Sequence, residues 1–162
     1  MTLLDAAYWV TCVVLVVSGL AKVTDPAATE STLRSLGVRA PSGSGRAVGL
    51  VEVGLGAAGL ATALWPVATL VALLYLGFAA VVAAALREGL ADCGCLGVRA
   101  SRPTRAHVAA NVVSAAVAAG ASLRGPVALA DGLGTLSGPA AVLVGLGVAV
   151  AAGMVIAWEG RG

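Results

Sequence analysis

The sequence predicts an all-α membrane protein, a compact antiparallel bundle of about five transmembrane helices. Three observations lead there. Of the 162 residues 59% are hydrophobic and 11% charged, with a mean hydropathy of +0.98, whereas a soluble domain carries about a quarter charged residues. Apolar runs recur at close to the roughly 20 residues needed to cross a hydrocarbon core of about 30 Å. Small residues, including 22 glycines, are spread through those runs, as close helix contact requires where lipid offers no hydrophobic advantage. The formal net charge of +2, with one Phe, two Tyr and three Trp, excludes a nucleic-acid partner, since neither a basic patch nor a stacking platform is present. The partner that composition demands is the lipid bilayer.

The first span is expected from about Ala6 to Ala21, with Cys12 near mid-depth and Lys22 at its end. No Lys or Arg precedes this run and its only early charge is Asp5, so it reads as a retained helix and not as a cleaved signal. Asp25 and Pro26 then read as the cap and first turn of a short interfacial helix over residues 26–36, stopped by Gly37. Residues 41–45 form a Pro/Ser/Gly connector. Between Ala47 and Leu86 the only charge is Glu52, and so long a helix would be about twice the bilayer thickness. The run must fold back, and Trp65-Pro66 is the expected turn. That gives a second span over residues 47–64 and a third over 67–86. A fourth, Ala-rich span over 108–123 carries Asn111 and Ser114, and a fifth is expected over 139–158. On the second span Gly54, Ala58 and Thr62 recur every four positions and read as the packing stripe.

Between the third and fourth spans lies a polar loop with two of the three cysteines, Cys93 and Cys95, separated by Gly94. Such a pair can close a disulfide, exchange with another thiol pair or share a soft metal. Gly94 permits a tight turn between the sulfurs, and Gly97 lets the chain leave it in a left-handed conformation. A ring so small is strained, hence easily reduced and suited to exchange. Arg99 favours a thiolate and Asp92 opposes one, so the attacking sulfur is not chosen by the residues around it. A metal site built on Cys93, Cys95 and His107 has too few ligands and the wrong spacing for zinc, and no metal is expected. Cys12, in its apolar span, reads as a buried and inert thiol.

Charge sets the expected orientation. Lys22, Arg34, Arg39 and Arg46 lie between the first two spans, Arg87, Arg99, Arg102 and Arg105 between the third and fourth, and Arg161 in the tail; Arg124 alone falls on the other face. The positive-inside rule then puts the N-terminus outside and the cysteine loop in the cytoplasm of a multi-pass cell-membrane protein, a reducing compartment. Glu52 lies about 9 Å into its span by helical rise, where a lone carboxylate is costly. It needs protonation or a partner, with Lys22 the nearest candidate and Asn111 and His107 next. His107 itself, beside Arg105, reads as a helix-end residue.

The order Ser18-Gly19-Leu20-Ala21-Lys22, Asp25-Pro26, Gly49-Leu50-Val51-Glu52 with Gly54 and Gly56, and Cys93-Gly94-Cys95-Leu96-Gly97 resembles the MauE (methylamine utilisation) branch of the DoxX-like small integral membrane proteins. The likeness runs from about Tyr8 to Leu123; Leu96 stands where that family usually has Phe. It implies a DoxX-like four-helix core within residues 1–125, with residues 126–162 as a linker and a fifth helix. It also implies a redox-associated protein that supports thiol-disulfide exchange, catalysed by Cys93 and Cys95, beside a thioredoxin-like partner, in maturation of the disulfide-rich small subunit of methylamine dehydrogenase or of other exported proteins. Two other readings stay open: a non-enzymatic assembly subunit, and a component coupled to quinone, the one candidate cofactor that the wider group implies. Maturation of an exported subunit asks for outward thiols, whereas the charge count turns them inward. Either a relay through Cys12 or an arginine-rich composition that overrides the count would reconcile the two.

Overall fold

The computed structural model describes residues 2–90 and 102–135, together with isolated helical positions between Gly138 and Gly153. Cys93, Gly94, Cys95, Gly97 and Arg99 lie outside the described residues, as does most of the expected fifth span. Six helices make up the described fold: α1 (Leu3–Thr24), α2 (Ala27–Ser35), α3 (Ser44–Ala61), α4 (Trp65–Arg87), α5 (Arg105–Arg124) and α6 (Leu129–Gly134). Three of them, α1, α4 and α5, are long and apolar enough to cross a membrane. The second expected span corresponds to α3, 18 residues long, which is about 27 Å of helix but interrupted by Arg46 and Glu52. The ordered elements among the described residues are thus all helical, those of a membrane protein, and the five-span expectation is met in part.

The helix ends differ from those expected, for local reasons. α1 begins at Leu3, ahead of Ala6, because Thr2 and Asp5 form a reciprocal capping box that satisfies the first backbone donors. Asp25 does not cap α2. Its backbone N–H instead donates to the Ala21 carbonyl and closes α1, which leaves Pro26 as the start of α2 without a side-chain cap. Trp65-Pro66 is not the turn between α3 and α4. Residues 62–64 make that turn, and Trp65 and Pro66 open α4, where a missing proline N–H costs nothing. Gly37 ends the α2 region as expected, with a φ of +76° that a side chain would resist.

α1 lies antiparallel against α3, and α4 antiparallel against α5, with α1 also touching α5 and α3 touching α4. The core is formed where α1 meets α4 and α5, by Tyr8, Trp9, Cys12 and Leu15 against Ala68, Val71, Tyr75 and the alanines at 115, 118 and 121. The Tyr75 hydroxyl donates to the Thr11 carbonyl at 2.8 Å, which ties α4 to α1 in mid-bundle. Leu50, Val51, Leu70, Leu73 and Leu76 are exposed on the outside of α3 and α4, the surface that lipid covers.

The packing stripe of α3 is not Gly54, Ala58 and Thr62. Gly54 is exposed with nothing near its missing side chain, and the buried face is Gly45, Gly49, Glu52, Gly56 and Gly59. A β-carbon on Gly56 would stand 2.7 Å from the Cys12 carbonyl oxygen, and one on Gly59 2.7 Å from the Cys12 sulfur, both far inside contact distance. The spacing of three and four residues follows the helical period; a strict four-residue repeat drifts around the helix and off the contact face.

α6 and the segment before it were not foreseen. They close one end of the bundle over Trp9, whose Nε1–H donates to the Val127 carbonyl at 2.9 Å. Gly132 of α6 lies against the indole ring so closely that a β-carbon there would collide with it.

Candidate functional site

Lys22 and Glu52 are among the largest side chains that the bundle buries completely, at 1% and 0% exposure. The Lys22 Nζ lies 3.0 Å from Glu52 Oε1 and donates to Oε2 at 3.0 Å. Ser18 completes the cluster: its hydroxyl donates to Oε2 at 2.8 Å and accepts from Lys22 at 2.6 Å. Oε2 therefore takes both hydrogen bonds, while Oε1 faces the ammonium without hydrogen-bond geometry. On its other side Nζ stands 5.3 Å from the centroid of the Phe78 ring, within the range of a cation–π contact.

Helix geometry explains why these groups meet. Every Cα–Cβ bond tilts toward the N-terminus of its own helix. Because α1 and α3 run antiparallel, Lys22 leans back into the bundle and Glu52 leans out toward it. Ser18 stands one turn below Lys22 on the same face, four residues earlier. The backbones come close enough for this because Gly19 and Gly49 sit between them. Ser18 is the member that sequence reasoning left out as a site residue; its i, i+4 spacing from Lys22 was the available signal.

Asn111 and His107 are not drawn to this cluster. The Asn111 amide donates to the His107 carbonyl within α5 at 2.8 Å, and the His107 backbone N–H is held by the capping hydroxyl of Thr104. Both belong to the first turns of α5. Cys12 is sealed at 0% exposure between α1 and α3 and sits ten residues, about 15 Å of helix, from Lys22. Exchange at sulfur requires a second sulfur to approach it, and Cys12 as packed here fills the space against Gly56 and Gly59. Among the described residues no group of His, Cys, Asp and Glu is arranged to hold a metal.

The helix ends gather positive charge at one end of the bundle. α4 ends at Arg87 and α5 begins at Arg105, both at the same end of the bundle as Lys22, α2 and Arg46. Arg34, Arg39, Arg46, Arg87, Arg102 and Arg105 are all exposed, and they gather at this end, whereas Arg124 ends α5 at the other.

The family model for "Methylamine utilisation protein MauE" matches residues 1–124, a stretch that contains α1 to α5, the buried Lys22–Glu52 pair and the Cys93/Cys95 segment. The chain belongs to the MauE family. Membership gives it a role in methylamine utilisation, and the segment from α6 onward lies beyond the match. No curated protein and no solved structure matches the chain. The MauE match thus spans the helices that carry the buried charges and excludes the α6 strap that covers Trp9.

Proposed function

We propose that this MauE-family chain supports thiol-disulfide exchange at the membrane through Cys93 and Cys95, with a thioredoxin-like protein as partner and a disulfide-containing exported protein, methylamine dehydrogenase among them, as beneficiary. One thiolate attacks a sulfur of the partner's disulfide, forming a mixed disulfide and releasing the other partner sulfur as a thiolate. The second cysteine then attacks the mixed disulfide. The products are a Cys93–Cys95 disulfide and a partner reduced by two electrons; run in reverse, the same steps oxidise the partner. Lys22, Ser18 and Glu52 hold α1 to α3.

The observation that carries this reading is the family match, which includes both cysteines, combined with the chemistry of two thiols one glycine apart. The test is mixed-disulfide trapping in cells that make methylamine dehydrogenase. With Cys93→Ser or Cys95→Ser, membrane insertion is expected to remain and activity to be lost, and one of the two variants is expected to accumulate a covalent adduct with its partner. Full function in the Cys93→Ser/Cys95→Ser double variant would transfer the role to a non-enzymatic assembly subunit. Labelling of intact cells with a membrane-impermeant thiol reagent, before and after reduction, reads the sidedness and the redox state of the pair.

A further inference from the structure

At the basic end of the bundle, α2 does not close fully onto α4. A half-open cavity of about 230 Å³ remains, lined by Lys22, by Leu33 and two threonines of α2, by Val48 of α3, and by Leu74, Gly77, Phe78 and Val81 of α4. Its walls are apolar. Thr32 turns its hydroxyl to the Ala28 carbonyl of its own helix, and the Lys22 ammonium is directed to Ser18 and Glu52, so neither presents a polar head to the space. An engineered apolar cavity of about 150 Å³ stays dry and binds benzene, and this one is larger and open at the side. Water gains nothing by entering it, whereas hydrocarbon does.

The surface at this end of the bundle has the opposite character. Arg34 follows the lining residue Leu33, Arg46 lies two residues before Val48, and Arg87 lies less than two turns beyond Val81. All three are exposed. Of the acids nearby, the Glu30 carboxylate accepts the Gly43 N–H, whereas Glu88 and Asp25 cap helix ends through their backbone N–H groups and their carboxylates still count as negative charges. With Arg39, Arg102 and Arg105 included, six exposed arginines outnumber these three acids at this end of the bundle. An apolar slot at the arginine-rich end of the bundle matches one molecule that a bilayer supplies in quantity.

We infer that the cavity between α2 and α4 holds an acyl chain of an anionic phospholipid, with the headgroup phosphate at Arg34, Arg46 and Arg87. Bidentate guanidinium–phosphate pairing favours that head over a zwitterionic one, and the surface attraction adds for each basic residue. A bound chain would fill the gap between the interfacial helix and the bundle and fix α2 against α4.

The inference is tested by native mass spectrometry of delipidated full-length protein titrated with dioleoyl phosphatidylglycerol or dioleoyl phosphatidylcholine. One tightly bound phosphatidylglycerol per chain is expected. Gly77 offers a clean obstruction, since a β-carbon there meets nothing within 4 Å; Gly77→Leu should keep the folded spectrum and weaken phosphatidylglycerol on the order of tenfold or more. Arg34→Gln/Arg46→Gln should bring phosphatidylglycerol down to the level of phosphatidylcholine, a loss of roughly tenfold or more for two basic residues. Equal affinity for the two lipids in the unaltered protein, or unchanged phosphatidylglycerol binding in folded Gly77→Leu protein, would overturn it. So would co-purification of a quinone that Gly77→Leu displaces, which would assign the slot to a redox ring instead. None of these readouts depends on Cys93 or Cys95.

Discussion

Gly19 and Gly49 face each other across α1 and α3 so closely that a β-carbon on either would fall 2.6 Å from the carbonyl oxygen of the other. Contact at this range is backbone on backbone, and it is what allows a lysine and a glutamate, each one turn further along its helix, to meet out of reach of water. The geometry leads to four expectations.

Gly49→Leu should separate α1 from α3, because its β-carbon would meet the Gly19 carbonyl and the Val23 side chain and main chain at once. Overpacking of this kind costs about 1–3 kcal/mol or more. Gly54→Leu, on the exposed side of the same helix, is the control and should be nearly silent. Thermal unfolding in one detergent compares the pair; equal behaviour would contradict the packing face described for α3.

Lys22→Met should leave Glu52 buried without its countercharge and destabilise by about 3–5 kcal/mol, while Lys22→Met/Glu52→Met should recover most of that loss. The double variant also separates a pin from a working group. If it is stable and active, the pair only holds helices together; if it is stable and inactive, the charges take part in function.

Trp9→Phe removes the indole donor to Val127, and should cost about 1–3 kcal/mol with the carbonyl left unpaired. Gly132→Ala should act more strongly, since the added methyl meets the ring itself. Limited proteolysis of the segment after Arg124 is the direct readout, with faster cleavage expected in both.

The Ser122 and Thr69 hydroxyls hydrogen-bond to each other at 2.7 Å, and whichever accepts there donates to the Trp65 carbonyl at 3.1 Å, joining α5 to the start of α4. Polar links of this type inside membranes average about 0.6 kcal/mol. Ser122→Ala should therefore lower stability only slightly, and a double-mutant cycle with Thr69→Ala should give a coupling of that order.

Much of the fold was legible because hydropathy and span length constrain a membrane chain so tightly: the fold-back after Ala47 follows from bilayer thickness alone. The partnership of Glu52 with Lys22 was legible for the same reason, since a carboxylate at that depth must find a partner and Lys22 stood at the right end of the bundle. The α3 contact face was not. A glycine-rich helix offers several small-residue stripes of similar spacing, and only the approach of α1 chooses among them. The Trp9 strap was hidden as well, because Val127 accepts through its backbone carbonyl, which no side-chain pattern announces. Ser18 escaped as a site residue because hydroxyls in apolar helices commonly bond back to their own backbone, as Thr11 and Thr62 do here.

The two buried charges come from different helices, and this bears on how the chain is made. As synthesis proceeds α1 emerges first, and Lys22 near its end can reach the headgroups until a partner arrives. Glu52 lies deeper and has no such escape. Paired, the two charges turn the contact between α1 and α3 into a locally neutral unit, which lipid tolerates better than either charge alone.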